Sequence, residues 1–213
     1  MIYKVVSFDV EGTLTTRRFS QLIWEEAIPK LYSEKTGISL EEAKARVMRE
    51  YAKVSDGREE WYDIRYWFNH FALTDYEHLL TSHKQKITLY PEASRVLRDL
   101  GKNHKLIVIS NSSREFLKFE LEKLEKHFHR VYSVTTDFHQ IKKTNHVYKK
   151  ICNLLGIQLS EMVHVGDLIE DDFSAPRKAG VLAYHLDRKA EKSNEFTVRD
   201  LKEFKAKIEG LER

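Results

Sequence analysis

Short apolar segments that alternate with helical patterns constrain the fold of this chain more than any other feature. Five segments have the length and composition of buried strands: Tyr3–Phe8, Lys105–Ile109, Arg130–Thr135, Met162–Val165 and Val181–Leu186. Helical patterns separate the last four, and Thr197 with Asp200 predicts a final helix that ends near Ile208. Strands that alternate with helices form a parallel sheet, whose carboxyl ends are brought to one edge by right-handed crossovers. We therefore predict an α/β fold with a five-stranded parallel sheet and helices on both faces.

The stretch between the first and second strands has a different character. Residues 17–87 contain no strand-like run, whereas Ser39 with Glu42 forms a capping box and Glu59–Phe71 is rich in aromatic residues. We predict an inserted helical domain over residues 17–87. The remaining residues, 1–16 and 88–213, then form the core domain.

Composition and charge restrict the class of protein. The 213 residues suffice for one well-cored domain with a smaller insertion. A net charge of +3 without a long basic run does not favour nucleic acid as a partner. The single cysteine, Cys152, allows no internal disulfide and is typical of a reducing compartment. Since no signal-like or membrane-spanning apolar segment is visible, we expect a cytoplasmic protein without a membrane partner. We expect it to be a monomer or a homodimer.

Polar side chains of a few chemical types follow the predicted strands. They are Asp9, Glu11, Ser110, Asn111, Lys142, Lys143, Asp167, Asp171 and Asp172. Because the carboxyl ends of parallel strands meet at one edge, we expect these side chains to gather where open α/β sheets bind ligands. Carboxylate oxygens are suited to Mg²⁺, and a hydroxyl with a lysine is suited to phosphate oxygens. The sequence therefore predicts a site for a divalent cation and a phosphoryl group.

Four segments, in this order, resemble the motifs of the haloacid dehalogenase superfamily. They are FDVEGTLT at Phe8–Thr15, VISN at Val108–Asn111, the isolated Lys142, and VGDLIEDD at Val165–Asp172. The resemblance spans nearly the whole chain. It implies a Rossmann-like core, a helical cap and a phosphohydrolase acting on a small phosphorylated metabolite.

The resemblance also implies roles for individual residues. Asp9 would be the nucleophile that forms an aspartyl-phosphate, and Glu11 would be the general acid and base. Ser110, Asn111 and Lys142 would bind the phosphoryl group. Mg²⁺ would be held by the Asp9 carboxylate, the Glu11 backbone carbonyl, Asp167 and Asp172.

Two of these positions have a close alternative. Counting six residues back from Tyr148, where the family often has an aromatic residue, gives Lys142, and Lys143 is the alternative. The spacing to Ala179 and Gly180 favours Asp172, and Asp171 stays open because some members of the family use a shorter spacing.

Glu11 departs from the motif, which has aspartate at this position. Its extra methylene moves the carboxyl group by about 1.5 Å at most, so acid and base chemistry is retained. Two alternatives follow from the departure. One is a catalytically weakened protein that binds phosphate or regulates a partner, and the other is an enolase-phosphatase, a branch that also carries glutamate here.

Overall fold

A parallel β-sheet is the centre of the computed structural model, which describes residues 3–54, 57–190, 193 and 195–211. Within these residues the sheet has six strands in the order β3-β2-β1-β4-β5-β6, and all neighbours are parallel. The strands are β1 (Val5–Phe8), β2 (Lys105–Ser110), β3 (Arg130–Ser133), β4 (Met162–Gly166), β5 (Leu182–Leu186) and β6 (Thr197–Val198). The predicted Rossmann-like α/β fold is therefore confirmed.

Helices surround this sheet and fill the insertion between β1 and β2. They are α1 (Arg18–Gln21), α2 (Ile28–Thr36), α3 (Leu40–Val54), α4 (Ile64–His70), α5 (Tyr76–His83), α6 (Ala93–Leu100), α7 (Arg114–Glu120), α8 (Val134–Phe138), α9 (Asn145–Leu155), α10 (Ala175–Ala179) and α11 (Leu201–Leu211). Two π-helical segments, Leu22–Ala27 and Ile169–Ser174, lead into α2 and α10. No helix of the described residues is long and apolar enough to cross a bilayer.

The sixth strand corrects the prediction of five strands and of a helix that starts at Thr197. Thr197 and Val198 are β-branched, which favours extended backbone, and they pair with His185 and Leu186 along the open edge of β5. The helix α11 begins only after Asp200, whose Oδ1 accepts a hydrogen bond from the backbone N–H of Glu203 at 2.8 Å. The capping residue is therefore Asp200, three positions later than predicted.

Side chains of β1 alternate between two buried layers. Val6 and Phe8 pack against the layer that contains Phe204 of α11, and Val5 packs against the layer that contains Tyr148 of α9. This alternation is the period of an extended strand that is covered on both faces. Asp9, the residue after β1, therefore lies near the centre of the sheet at its carboxyl edge.

The helices α1–α5 pack around one hydrophobic cluster, and we call these helices together the helical segment. The two chain connections to the sheet run side by side, since the Thr16 N–H donates to the Thr88 carbonyl at 2.9 Å and the Tyr90 N–H donates to the Leu14 carbonyl at 3.0 Å. Phe116 of α7 packs into the same cluster. The helices match the predicted insertion at residues 17–87, and the division into two domains stays a prediction.

Candidate active site

Three carboxylates meet at the carboxyl edge of the sheet. Asp9 follows β1, Asp167 follows β4, and Asp172 lies in the π-helical segment before α10. One oxygen from each lies within 4.8 Å of the others, and Asp9 and Asp172 are buried. Asp167 Oδ1 is buried without a hydrogen-bond partner. The donor set and this unpartnered oxygen fit a hard divalent cation such as Mg²⁺.

Two glycines leave the space that these carboxylates occupy. Gly12 has φ +83, and a Cβ there would lie 2.1 Å from Asp167 Oδ2. A Cβ on Gly166 would lie 2.3 Å from the Asp172 Cγ. Real Cβ atoms do not approach so closely, so the acid cluster depends on glycine at both positions.

We expect Gly12→Ala to weaken Mg²⁺ binding by about tenfold or more, because the new methyl group displaces Asp167 and a coordinated ligand is worth at least that factor. The matched control is Gly37→Ala in the helical segment, where φ is +73 and nothing lies within 4 Å of the new Cβ. Both variants lose about 1 kcal/mol of stability from the left-handed backbone. Calorimetric Mg²⁺ titration separates them, and equal affinities would show that Asp167 does not hold the ion.

The lysine in contact with the acids is Lys143. Its Nζ lies 2.6 Å from Asp9 Oδ1 and 2.5 Å from Asp172 Oδ1, and the residue is buried. Lys142 is exposed, so the prediction that placed Lys142 at the site is corrected. The two lysines are neighbours in the loop before α9, and only Lys143 is turned into contact with the acids.

The contacts between these groups set their protonation states. Burial raises the pKa of Asp9 to about 7, although the nearby Lys143 ammonium opposes the shift. Burial also acts against ionisation of Asp172, but the charge of Lys143 and the hydrogen bond from His164 outweigh it and lower the Asp172 pKa to about 2. Burial acts to lower the pKa of Lys143, and the charges of Asp172 and Asp9 more than reverse this. Lys143 is therefore a buried cation beside an ionised Asp172.

A buried chain of hydrogen bonds orients Asp172. His164 Nε2 lies 3.0 Å from Asp172 Oδ1, and its Nδ1 lies 2.8 Å from Ser7 Oγ. Burial lowers the pKa of His164, so the ring is neutral, with Nε2–H donating to Asp172 and Nδ1 accepting from the Ser7 hydroxyl. Ser7 is completely buried in the sheet, so this chain positions Asp172 and exposes no nucleophile.

Asp171, which the sequence analysis kept as the alternative to Asp172, has a different contact. Its Oδ2 accepts a hydrogen bond from Asn111 Nδ2 at 2.6 Å, so the Asn111 amide nitrogen points to Asp171. Ser110 is buried at the end of β2, and its Oγ accepts the N–H of Ser112 at 3.2 Å. Ser110 and Asn111 were both predicted to bind the phosphoryl group. Of these two residues, Ser110 therefore has its hydroxyl proton available to a ligand.

Glu11 faces a second buried acid, Glu120 of α7, which the sequence analysis missed. Burial raises the pKa of Glu11, and burial together with the charge of Glu11 raises the Glu120 pKa well above its ordinary value. Thr15 Oγ1 donates to Glu120 Oε1 at 3.4 Å. Burial and the neighbouring Glu11 charge therefore favour the protonated form of Glu120. The available signal was one acidic residue in the apolar stripe of α7, between Phe116 and Leu121.

Glu120 gives the fold a distinct pH dependence. Its folded pKa lies above the unfolded value of 4.5, so the folded chain holds the extra proton and stability falls as pH rises between these two values. We expect Glu120→Gln to remove this loss, which amounts to about 1.4 kcal/mol per unit of pKa difference. Urea unfolding of both proteins at about pH 5 and about pH 8 measures it. Identical slopes of stability against pH would contradict the assignment.

Two arginines contact residues of the site and of the loop after Asp9. Arg17, half-exposed, pairs with Asp167 through Nη2 and Oδ2 at 2.7 Å. Arg188 donates from Nη2 to the Thr13 carbonyl at 2.8 Å and pairs with Glu92 through Nη1 at 2.8 Å. Arg188 therefore fixes the backbone that follows Asp9, a role that no sequence motif indicated.

A cavity of about 390 Å³ lies between this edge of the sheet and the helical segment, and we call it the active-site cavity. The chemical groups at its floor come from Asp9, Glu11, Ser110 and Lys143. Within the described chain, five buried side-chain oxygens lack a hydrogen-bond partner: Glu11 Oε1, Asn111 Oδ1, Ser113 Oγ, Glu120 Oε2 and Asp167 Oδ1. All five belong to this site or contact it, so the floor of the cavity is built to receive a polar ligand.

The fold and these residues are typical of one family of hydrolases. Residues 3–180 match the family described as "Hydrolase: haloacid dehalogenase-like hydrolase". The chain belongs to this family, and the predicted haloacid-dehalogenase-type phosphatase is confirmed.

Individual proteins add to this result. The chain is 22% identical over 165 residues to the GMP/IMP nucleotidase YrfG of Escherichia coli. The aligned region covers 76% of this chain and 73% of that protein. It is 29% identical over 101 residues to the human N-acylneuraminate-9-phosphatase, covering 46% of this chain and 40% of that one.

Solved structures share the fold over almost the whole chain. A HAD phosphatase from Thermococcus onnurineus has a TM-score of 0.83 and 26% identity, covering 97% of this chain and 98% of that chain. A 2-haloacid dehalogenase from Pseudomonas syringae has a TM-score of 0.69 and 18% identity, covering 98% of this chain and 99% of that chain, and it shows the fold alone.

Proposed function

We propose that this protein is a Mg²⁺-dependent hydrolase of small phosphate monoesters that works through an aspartyl-phosphate on Asp9. The observation that carries the proposal is the contact of Asp9 with Lys143 beside two further carboxylates, at the floor of a cavity. Similarity to a GMP/IMP nucleotidase and to an N-acylneuraminate-9-phosphatase supports a small phosphorylated substrate.

Asp9 is the nucleophile in this mechanism. Its Oδ1 is held by the Lys143 ammonium at 2.6 Å, and its Oδ2 accepts only a long hydrogen bond from Thr13 Oγ1 at 3.4 Å, so Oδ2 is the attacking oxygen. Lys143 and the Ser110 hydroxyl then hold the phosphoryl oxygens as negative charge shifts in the transition state. The carboxylates of Asp9, Asp167 and Asp172 with the Glu11 carbonyl would hold Mg²⁺, which would screen Asp9 from the negative substrate.

Glu11 is the general acid and base of the proposal. Burial raises its pKa, which favours the protonated form that a leaving alkoxide requires. The same group then accepts a proton from the water that attacks the aspartyl-phosphate. Arg17 and Asp167 also act on the Glu11 carboxyl, with opposite electrostatic effects.

The helical segment has the position of a cap in this proposal. It covers the floor groups and supplies the opposite wall of the cavity, so that closure over the substrate would exclude water from the aspartyl-phosphate. The two chain connections that are hydrogen-bonded to each other at Thr16 and Thr88 are then the hinge.

The second candidate function is a catalytically weakened protein that binds phosphate without efficient turnover. The observation that favours it is the buried contact of Glu120 with Glu11, which stands where the motif has its second aspartate. Glu11→Asp decides between them. An inactive natural protein and an active variant would support the weakened site, whereas equal or lower activity in the variant supports a working Glu11.

The primary test is phosphate release from p-nitrophenyl phosphate. We expect activity with Mg²⁺, loss of activity with EDTA, and recovery when Mg²⁺ is added in excess. Activity that persists unchanged in EDTA would contradict the metal requirement. The enolase-phosphatase alternative is tested in the same assay series with a 2,3-diketo-1-phosphate as substrate.

A further inference from the structure

Aromatic side chains dominate the wall of the active-site cavity that faces the phosphate-binding floor. The rings that line the cavity are those of Trp24, Tyr51, Trp61, Tyr62, Trp67 and Phe116. The cationic and carboxylate groups of Asp9, Arg17 and Lys143 lie at the floor and the hinge. The cavity therefore has a charged floor and a mainly aromatic wall, to which Glu25 beside Trp24 adds one carboxylate.

All of these rings except Tyr62 pack in or against the hydrophobic cluster of the helical segment, but they differ in how far they are covered. Trp67 and Tyr51 are buried, with exposed fractions of 1% and 7%, and belong to its core. Trp24, Trp61 and Tyr62 are half-buried, although each lines the cavity. An occupant of the cavity can cover part of the ring surface that these three residues leave exposed.

Trp24 is held in a fixed orientation. Its ring stacks on Phe116 with centroids 5.3 Å apart and an interplanar angle of 22°, and Tyr51 packs edge-on against it at 5.9 Å. The residue lies in the π-helical segment Leu22–Ala27, a geometry that often occurs at functional sites. An indole that is already packed against its neighbours loses little conformational entropy when it binds a ligand.

Aliphatic side chains add to the aromatic wall. Met48 and Leu168 line the cavity and are 37% and 38% exposed, so both have apolar surface that is not packed against the protein. The volume of about 390 Å³ lies within the range of about 300–1,000 Å³ that is usual for small-molecule sites. The cavity therefore has room for a leaving group besides the phosphoryl group.

We propose that the active-site cavity selects phosphate monoesters whose leaving group carries a flat aromatic ring, such as nucleoside monophosphates and phosphorylated ring cofactors. The inference rests on the proposed phosphatase function, since the phosphoryl group occupies the floor. A flat ring covers the indoles of Trp24 and Trp61, whereas the hydroxyl groups of a bare sugar phosphate lose hydration against the same apolar surface.

The activity test compares alkyl phosphates, so that the chemical reactivity of the leaving groups is similar. We expect kcat/KM for adenosine 5′-monophosphate and pyridoxal 5′-phosphate to exceed that for ribose 5-phosphate by about tenfold to a hundredfold, the range of ring stacking on aromatic side chains. The two ring substrates distinguish a nucleotide from a ring cofactor. Trp24→Leu should remove most of this preference, whereas Tyr66→Leu, a cap aromatic outside the cavity, should retain it. Equal kcat/KM for ribose 5-phosphate and both ring substrates would overturn the inference.

A binding test separates this inference from the phosphatase function. Titration of the protein in EDTA with adenosine 5′-monophosphate should quench the fluorescence of Trp24 and Trp61, and ribose 5-phosphate at the same concentrations should not. If no substrate releases phosphate but this quenching occurs, the phosphatase function fails and the ring site stands. If phosphate is released without ring preference or quenching, the ring site fails and the phosphatase function stands.

Discussion

Asp9→Asn is expected to reduce phosphatase activity by about a thousandfold or more, because the amide is not a nucleophile and no neighbouring carboxylate can take its place. Asp172 is held by Lys143 and His164, and Asp167 is paired with Arg17. The measurement is kcat with p-nitrophenyl phosphate at saturating Mg²⁺.

The fold of this variant should be retained. Asparagine has nearly the volume of aspartate, and Lys143 keeps its contact with Asp172 at 2.5 Å. Thermal unfolding within a few degrees of the natural protein confirms that a loss of activity is chemical. Activity within tenfold of the natural protein, in a folded variant, would exclude Asp9 as the nucleophile.

Lys143→Met is expected to lower both stability and activity. It leaves the buried carboxylates of Asp9 and Asp172 without their cation, and breaking a buried ion pair costs about 3–5 kcal/mol. Urea unfolding without metal measures this loss. We also expect a large fall in kcat, because the ammonium no longer neutralises charge on the phosphoryl oxygens.

The adjacent residue provides the control. Lys142→Met changes the same side chain at an exposed position, and surface substitutions usually alter stability by less than about 0.5 kcal/mol. The two variants therefore test the assignment of the site lysine directly. A larger effect of Lys142→Met than of Lys143→Met, in stability and in kcat, would reverse it.

The elements and the acids of the site were accessible from the sequence because each depends on local pattern. Buried strands such as β2 contain a continuous apolar run, here Leu106–Ile109, and parallel topology alone brings Asp9 and Asp167 to one edge. The sixth strand was not accessible, because two β-branched residues become a strand only beside the open edge of β5.

The choice between Lys142 and Lys143, and the roles of Glu120 and Arg188, depend on contacts distant along the chain. Lys143 differs from Lys142 only in the direction of its side chain, which the loop before α9 determines. Glu120 lies 105 residues from its partner Thr15, and Arg188 lies 175 residues from Thr13. No spacing rule covers such pairs, so they are found only when the fold is known.

The most direct test of the proposed mechanism is the location of the phosphoryl group during turnover. The protein with Mg²⁺ is mixed with excess substrate, quenched in acid within one turnover, digested with pepsin and examined by mass spectrometry. We predict a phosphoryl group on the peptide that contains Asp9, and none in the Asp9→Asn variant. Turnover of the natural protein with a phosphoryl group on another residue would contradict the mechanism.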